Sequence, residues 1–385
     1  MKQQFFTWAP NIWRYKLWLP RVIVLVLVIN GIVPASPRAP LMPPQTVETS
    51  KPKLCIHTRL IDEVEEWKIQ RSLQLIREMG ASTIVEFFPW AYVEGTEDNY
   101  NWNSIDRIVR HARNQGLHII ARVGLVPEWA RRKDERPIGT TTLNTLPEVA
   151  FADFADFVAQ VATRYVGTID QIIIWNEPNL AFEWGYQNVD PAGYARLLAT
   201  VYPVAHAANP NISILAAGLA PTLEPQGSPY GLNDILYLQA LYEAGAAPYF
   251  DALAVHTYGF QAAPAAEPGF NLLNFRRAEL LHEVMVRFGD DQKPVIITET
   301  GWNDHPRWTL AVSPAQRMEY TVDALRWAET RWEWVDATCL WVFRYPQPTL
   351  SYPDNFTFAD TLFQLRPLYY TVQAYARGEL NGDQP

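Results

Sequence analysis

Eight short apolar runs, each followed by enough chain for a helix, leave this sequence few folds to choose from. They lie at 53–58, 82–88, 117–123, 170–176, 212–217, 250–256, 294–299 and 337–343. Parallel strands need a crossover of a dozen or more residues between them, so a regular strand, helix, strand order argues for a parallel sheet covered by helices. Eight such units are what closes a (β/α)8 barrel. The expected class is therefore α/β, and the expected architecture is a TIM barrel over residues 53–380. The intervening segments carry the matching periodicity. Phe151, Phe154, Val158, Val161 and Tyr165 recur at three and four residues, the mark of one buried helix face, and a last helix is expected at about 367–377. The sequence shows neither a short-period repeat nor a second domain.

The first fifty residues are different material. Arg14, Lys16 and Arg21 precede Val22-Ile-Val-Leu-Val-Leu-Val-Ile29, and the apolar stretch runs with one break to about Val33. That is short for a membrane span and suits the core of a signal peptide or a marginal anchor. Residues 1–35 are thus expected to direct export, with cleavage after Ala35, or to tether the chain through residues 22–33. Residues 34–52 hold six prolines and few large apolar groups, so 36–52 are expected as an extended, unpacked spacer. The expected location is extracytoplasmic, secreted or anchored at the cell surface.

Residues 1–50 carry five Lys or Arg and one Glu, a net of +4, so of the total −9 the remainder carries −13. An acidic domain is a poor partner for nucleic acid or an anionic membrane. A neutral substrate is the expectation. Two glutamates narrow its kind: Glu177 follows Ile172-Ile-Ile-Trp-Asn176, and Glu299 follows Pro294-Val-Ile-Ile-Thr298. The roughly 120 residues between them make room for about three strand-helix units, which puts both carboxylates at the rim where barrel enzymes build their sites. Strand alternation places Glu299 on one face with Val295 and Ile297, the lumen-filling face, where a carboxylate is costly without a purpose. Paired carboxylates on a barrel rim are equipment for cleaving a glycosidic bond.

Four motifs then fall in order. Phe87-Phe-Pro-Trp90 is followed by Glu94, Tyr100, Trp102, Ile105-Asp106 and Gly116; Pro127-Glu-Trp-Ala130 comes after strand three; Asn176-Glu177-Pro178 ends strand four; Glu299 ends strand seven. In these the sequence resembles a retaining glycoside hydrolase of clan A, in the manner of families 5, 39 and 42, over nearly all of residues 53–380. The resemblance implies Glu177 as acid/base, Glu299 as nucleophile and Asn176 as hydrogen-bond partner of the sugar 2-hydroxyl. It also implies His256 or Tyr258 from strand six beside the nucleophile, and Trp341 from strand eight as the floor of the sugar subsite. One position departs from the pattern. Clan members carry an arginine on strand two, where this chain reads Ile84-Val-Glu-Phe-Phe88, leaving Arg59 or Arg122 to supply the charge in place of Glu86.

Each of these residues has a plainer reading as well. Asn176 suits a turn cap, a single histidine in an apolar strand is usually a satisfied core residue, and Trp341 shares a face with Phe343. Fifteen tryptophans are a heavy load, and Trp90, Trp129, Trp184, Trp302 and Trp308 fall in rim segments, where indoles suit pyranose faces. Core packing accounts for about half of such residues. Trp90, Trp129 and Trp302 are carried forward as substrate-binding candidates.

Seven scattered histidines, with no His-x-His on strand one and no His-Glu-x-x-His helix, give no metal site, and no glycine loop cradles a phosphate; no cofactor is expected. Cys55 and Cys339 fall on strands one and eight. Export would permit their oxidation, but side-by-side parallel strands rarely offer disulfide geometry, which favours two buried thiols. A non-catalytic carbohydrate-binding barrel and a transglycosylase are the alternatives. Sugar identity rests with the loops at 131–147, 182–189, 258–274, 302–313 and 344–360.

Overall fold

The structure, a computed structural model, describes residues 39–41 and 43–380; the expected export segment 1–35 lies outside them. Among the described residues no helix is long and apolar enough to cross a membrane. Eight parallel strands close in sequence order: β1 (Leu54–His57), β2 (Thr83–Pro89), β3 (His118–Gly124), β4 (Ile169–Ile174), β5 (Ser213–Ala216), β6 (Ala252–Tyr258), β7 (Val295–Gly301) and β8 (Val335–Leu340), with β8 hydrogen-bonded back to β1. The helices that follow them are α1 (Glu66–Met79), α2 (Asn103–Asn114), α3 (Phe151–Arg164), α4 (Pro191–Ala208), α5 (Asp234–Glu243), α6 (Arg277–Arg287), α7 (Pro314–Arg331) and α8 (Pro367–Ala376). This is the (β/α)8 barrel that the alternation implies.

Local chemistry explains the joints. Helix α3 buries Phe151, Phe154, Val158 and Val161 of the stripe read from the sequence, together with Phe157, and the fifth member, Tyr165, is buried at its C-cap. Helix α1 stops at Gly80, whose φ of +95° and approach to Ala376 exclude a side chain: a Cβ would lie 2.7 Å from the Ala376 Cβ. Helix α7 starts at a Ser313–Gln316 capping box followed by Pro314.

Three expectations need correction. In β7 the partners run Val255↔Ile297 and then His256↔Glu299, which leaves Thr298 as an extra residue. Consecutive residues of β6 face opposite ways, so Glu299 does not share a face with Ile297; the bulge re-aims it. The segment expected to be an unpacked spacer is docked over its second half. Gln45 N–H donates to the Asn114 carbonyl at 2.8 Å, Ser50 N–H and hydroxyl donate to the Ala376 carbonyl, and Val47 packs on the core. Helices α2 and α8 end with unpaired carbonyls, and this segment satisfies them. Lastly, Cys55 and Cys339 form a disulfide. Barrel closure sets them directly opposite in the β1–β8 ladder, wholly buried, with Cα atoms 4.1 Å apart.

Candidate active site

Strand β4 ends at Ile174, before the residues the sequence assigns to it, and Trp175 and Glu177 adopt positive φ of 78° and 40°. The turn is held open by backbone bonds from Trp175 to Val123 and from Glu177 to Gly218. It delivers the Glu177 carboxylate to the mouth of the barrel. The bulge in β7 delivers Glu299, and one oxygen of each carboxylate lies within 4.8 Å of the other and of a ring nitrogen of His256. His256 Nδ1 is 2.8 Å from Glu177 Oε1 and 3.7 Å from Glu299 Oε2.

Glu299 is the more heavily supported. Tyr258 donates its hydroxyl to Oε2 at 2.7 Å, and Arg122 Nη1 lies 3.3 Å from Oε1 and also donates to Asn176 Oδ1 at 2.6 Å. Arg122 therefore takes the place of the expected strand-two arginine, its guanidinium 4.8 Å from the Phe87 ring centre. Arg59 does not; it is paired with Asp62 at 2.7 Å. Glu86 is an anchor, buried and accepting from the Thr58 hydroxyl and from the Leu60 and Ile61 amides, which ties down the turn after β1.

Burial, opposed by His256 and abetted by Glu177, raises the Glu299 carboxyl above its ordinary range, while Arg122 and Tyr258 pull it down. Burial opposes charge on His256, yet Glu299 and its contacts with Glu177 outweigh it and raise its pKa. Burial and Glu299 push the Tyr258 phenol well up, so it serves as a donor.

Trp341 follows β8 and lines, with Glu177, Glu299, Tyr258, Trp308, Tyr345 and Tyr352, a cavity of about 290 Å³. A second hollow of about 200 Å³ adjoins Asn176 and Arg122 and is polar, lined also by Arg59, Asn144 and Glu183. A roomier hollow of about 560 Å³ lies away from both glutamates, its charges paired as Asp134–Arg136 and Glu148–Arg196.

Three predicted tryptophans are not brought to the cleft. Trp90 starts a one-turn helix that swings its ring onto Phe154 and Phe157, and it is fully buried. Trp129 meets Trp90 edge-on and donates to the Glu94 carbonyl. Trp302 is buried over Gly259, where a Cβ would come within 1.8 Å of the indole, and donates to the Ala262 carbonyl.

Besides Tyr352 in the cavity wall, the sequence reading missed His57, Gly218, Tyr345 and Glu183. His57 ends β1, its ring 4.4 Å from Trp341 and its Nε2 3.6 Å from Glu299 Oε1. Burial, with Arg122 next, lowers its pKa well, so the ring is neutral; Nδ1 faces the Thr58 carbonyl at 3.0 Å, and Nε2 is buried without a hydrogen-bond partner. Position at a strand end was signal enough to find it. Gly218 follows β5 and admits the His256 ring, since a Cβ would fall 2.3 Å from Cδ2. Tyr345 and Glu183 lie in loops without pattern.

A family model described as glycosyl hydrolase catalytic core matches residues 149–368. No curated protein matches the chain. Among solved structures, a family 39 glycoside hydrolase from the gut symbiont Bacteroides cellulosilyticus WH2 superposes with a TM-score of 0.67 at 19% identity, over 88% of this chain and 66% of that one. A monomeric beta-xylosidase from Caulobacter crescentus gives 0.59 at 18%, over 86% and 69%. The GH5_18 protein from Bifidobacterium longum subsp. longum, in complex with Manb1-4GlcNAc, gives 0.62 at 14%, over 87% and 79%. At these identities the likeness is one of fold.

Proposed function

The chain belongs to the glycosyl hydrolase catalytic core family, and on that footing we propose that it cleaves an equatorial, β-type glycosidic bond by double displacement, with Glu299 as nucleophile and Glu177 as acid/base. The observation that carries the reading is the carboxylate spacing: one oxygen of each carboxylate lies within 4.8 Å of the other. Inverting enzymes hold their carboxyl groups roughly 6.5–9.5 Å apart, retaining ones about 5–5.5 Å.

The surroundings suit the two roles. Glu299 attacks the anomeric carbon from a fixed position, aimed by Tyr258 and Arg122. Glu177 protonates the departing oxygen and then takes a proton from the water that releases the sugar. Asn176 presents its amide to the 2-hydroxyl, Trp341 packs on the sugar face, and the unpartnered His57 Nε2 accepts a ring hydroxyl. Arg122 already supplies positive charge beside Glu299, so the chemistry of these donors asks for no cation.

Export or surface attachment through residues 1–35 remains part of this reading. The Cys55–Cys339 bridge supports it, because disulfides persist in oxidising compartments. The test is turnover of aryl β-glycosides and polysaccharides, with product configuration followed by NMR. Retained configuration upholds the reading, and inverted product or no cleavage sinks it. Recovery of the full-length chain as a soluble cytoplasmic protein would refute the localisation alone.

A further inference from the structure

One ionisable group beside the cleft has no part in the chemistry just described. Glu183 stands six residues past Glu177 on the turn that follows β4, and it lines the polar hollow together with Asn176 and Arg122. Its place is fixed twice over. The indole N–H of buried Trp175 donates to the Glu183 carbonyl at 2.8 Å, and Asn144 Nδ2 donates to its Oε2 at 3.2 Å. Its carboxyl shares that hollow with the Asn176 amide, whose influence lowers its pKa against burial.

The two ends of the Asn176 amide are therefore claimed by opposite neighbours. Arg122, which can only donate, holds the oxygen at 2.6 Å. Glu183, on the wall of the same hollow, is the acceptor within its surroundings for the nitrogen. A flipped amide would set its NH₂ against the guanidinium and its oxygen against the carboxyl. The unflipped amide keeps one N–H free, on a side chain that lines the hollow.

We propose that Glu183 is a positioning residue, which fixes the Asn176 amide so that its remaining N–H meets the 2-hydroxyl of the glycone. The inference rests on the glycosidase reading of the site. Burial and the Glu177 charge raise the Glu183 carboxyl to about 7, so the group keeps an acceptor oxygen for Asn176 in either protonation state.

The test pairs enzyme variants with substrates. Among p-nitrophenyl β-D-xyloside, glucoside, galactoside and mannoside, the best-cleaved substrate and its 2-deoxy counterpart are assayed with the full chain, with Glu183→Gln and with Glu183→Ala. A hydrogen bond that matures in the transition state is worth about 10–100-fold in rate. The native protein should lose at least that on removal of the 2-hydroxyl. In Glu183→Ala the penalty should shrink about tenfold or more, because kcat falls on the parent substrate and hardly changes on the 2-deoxy one. Glu183→Gln, whose carbonyl still accepts from Asn176, should restore most of the penalty. Equal slowing of both substrates in Glu183→Ala, or no slowing of either, overturns the role. If the native protein cleaves none of the substrates, or survives Glu299→Ala, the glycosidase reading itself has failed, an outcome distinct from loss of the Glu183 role.

Discussion

Glu177 and Glu299 face each other across one cleft, yet their settings differ in kind. Glu299 sits on a strand, nearly buried, with Tyr258 and Arg122 as donors to its two oxygens and the His57 and His256 rings close by. Glu177 sits on a left-handed turn, more open to solvent, with His256 as the partner of its Oε1. A group that must attack from one position is served by many fixed donors. A group that must give up a proton and recover it is served by few. The asymmetry thus favours the proposed roles, for which the sequence, with two similar strand-end glutamates, offered only a resemblance.

The harshest test removes each carboxylate in turn. Glu299→Ala should cost about 10⁴-fold or more in kcat on every substrate. Glu177→Ala should spare the first step for aryl glycosides with good leaving groups and stall the glycosyl-enzyme, and azide should restore turnover with retained configuration. Equal losses in both variants, without rescue, would erase the contrast.

A second test strips donors from Glu299 alone. Tyr258→Phe and Arg122→Leu should each slow kcat by about 10–100-fold. Glu299 must be ionised to attack, so activity falls as pH drops through its raised pKa. Tyr258 and Arg122 both lower that pKa, and removing either should move the acid limb of kcat/KM to higher pH. A limb that stays put or moves down would remove Glu299 as its source.

A milder test works on the Glu177 side. Gly218→Ala should displace His256 and slow release of the sugar about tenfold, while the burst of leaving group from an activated aryl glycoside persists. Loss of the burst would mean that His256 serves chiefly Glu299.

The smallest effect is on stability. A carboxyl raised to about 7 in the folded protein binds its proton more tightly there than in the unfolded chain. Its contribution is present in full below the unfolded value and is lost as pH rises to about 7. Glu183→Gln should therefore gain in Tm relative to the native protein as pH goes from 5 to 8. A constant difference across that range would place the group at an ordinary pKa.

The strand order, the barrel and the paired glutamates were legible because each rests on a period or on a strand end, which sequence displays directly. Arg122 was legible only as one of two options, since Arg59 reads alike until Asp62 is seen to hold it. Tryptophan misled. Trp90 and Trp302 follow strands just as Trp341 does, and what separates them is a neighbour: Phe154 and Phe157 for one, the bare backbone of Gly259 for the other. Glu183 and Gly218 carry no periodic signal, and their meaning comes from side chains far off in sequence. The docked segment at 45–50 was hidden by the prolines that flank it, which suggest a loose spacer while its amides meet helix ends.

The Cys55–Cys339 bond turns the protein into a covalent ring of nearly the whole barrel. Each of the other strand pairs joins neighbours in the chain, whereas β1 has to wait for β8, 284 residues later between the two cysteines. The Cys55 thiol therefore stays without its partner until the last unit is made, and the lock falls on a finished circle. A protease that later cuts one of the loops between the two sulfurs opens the ring but releases no fragment: both pieces remain one molecule, tied at the seam where the barrel first met itself.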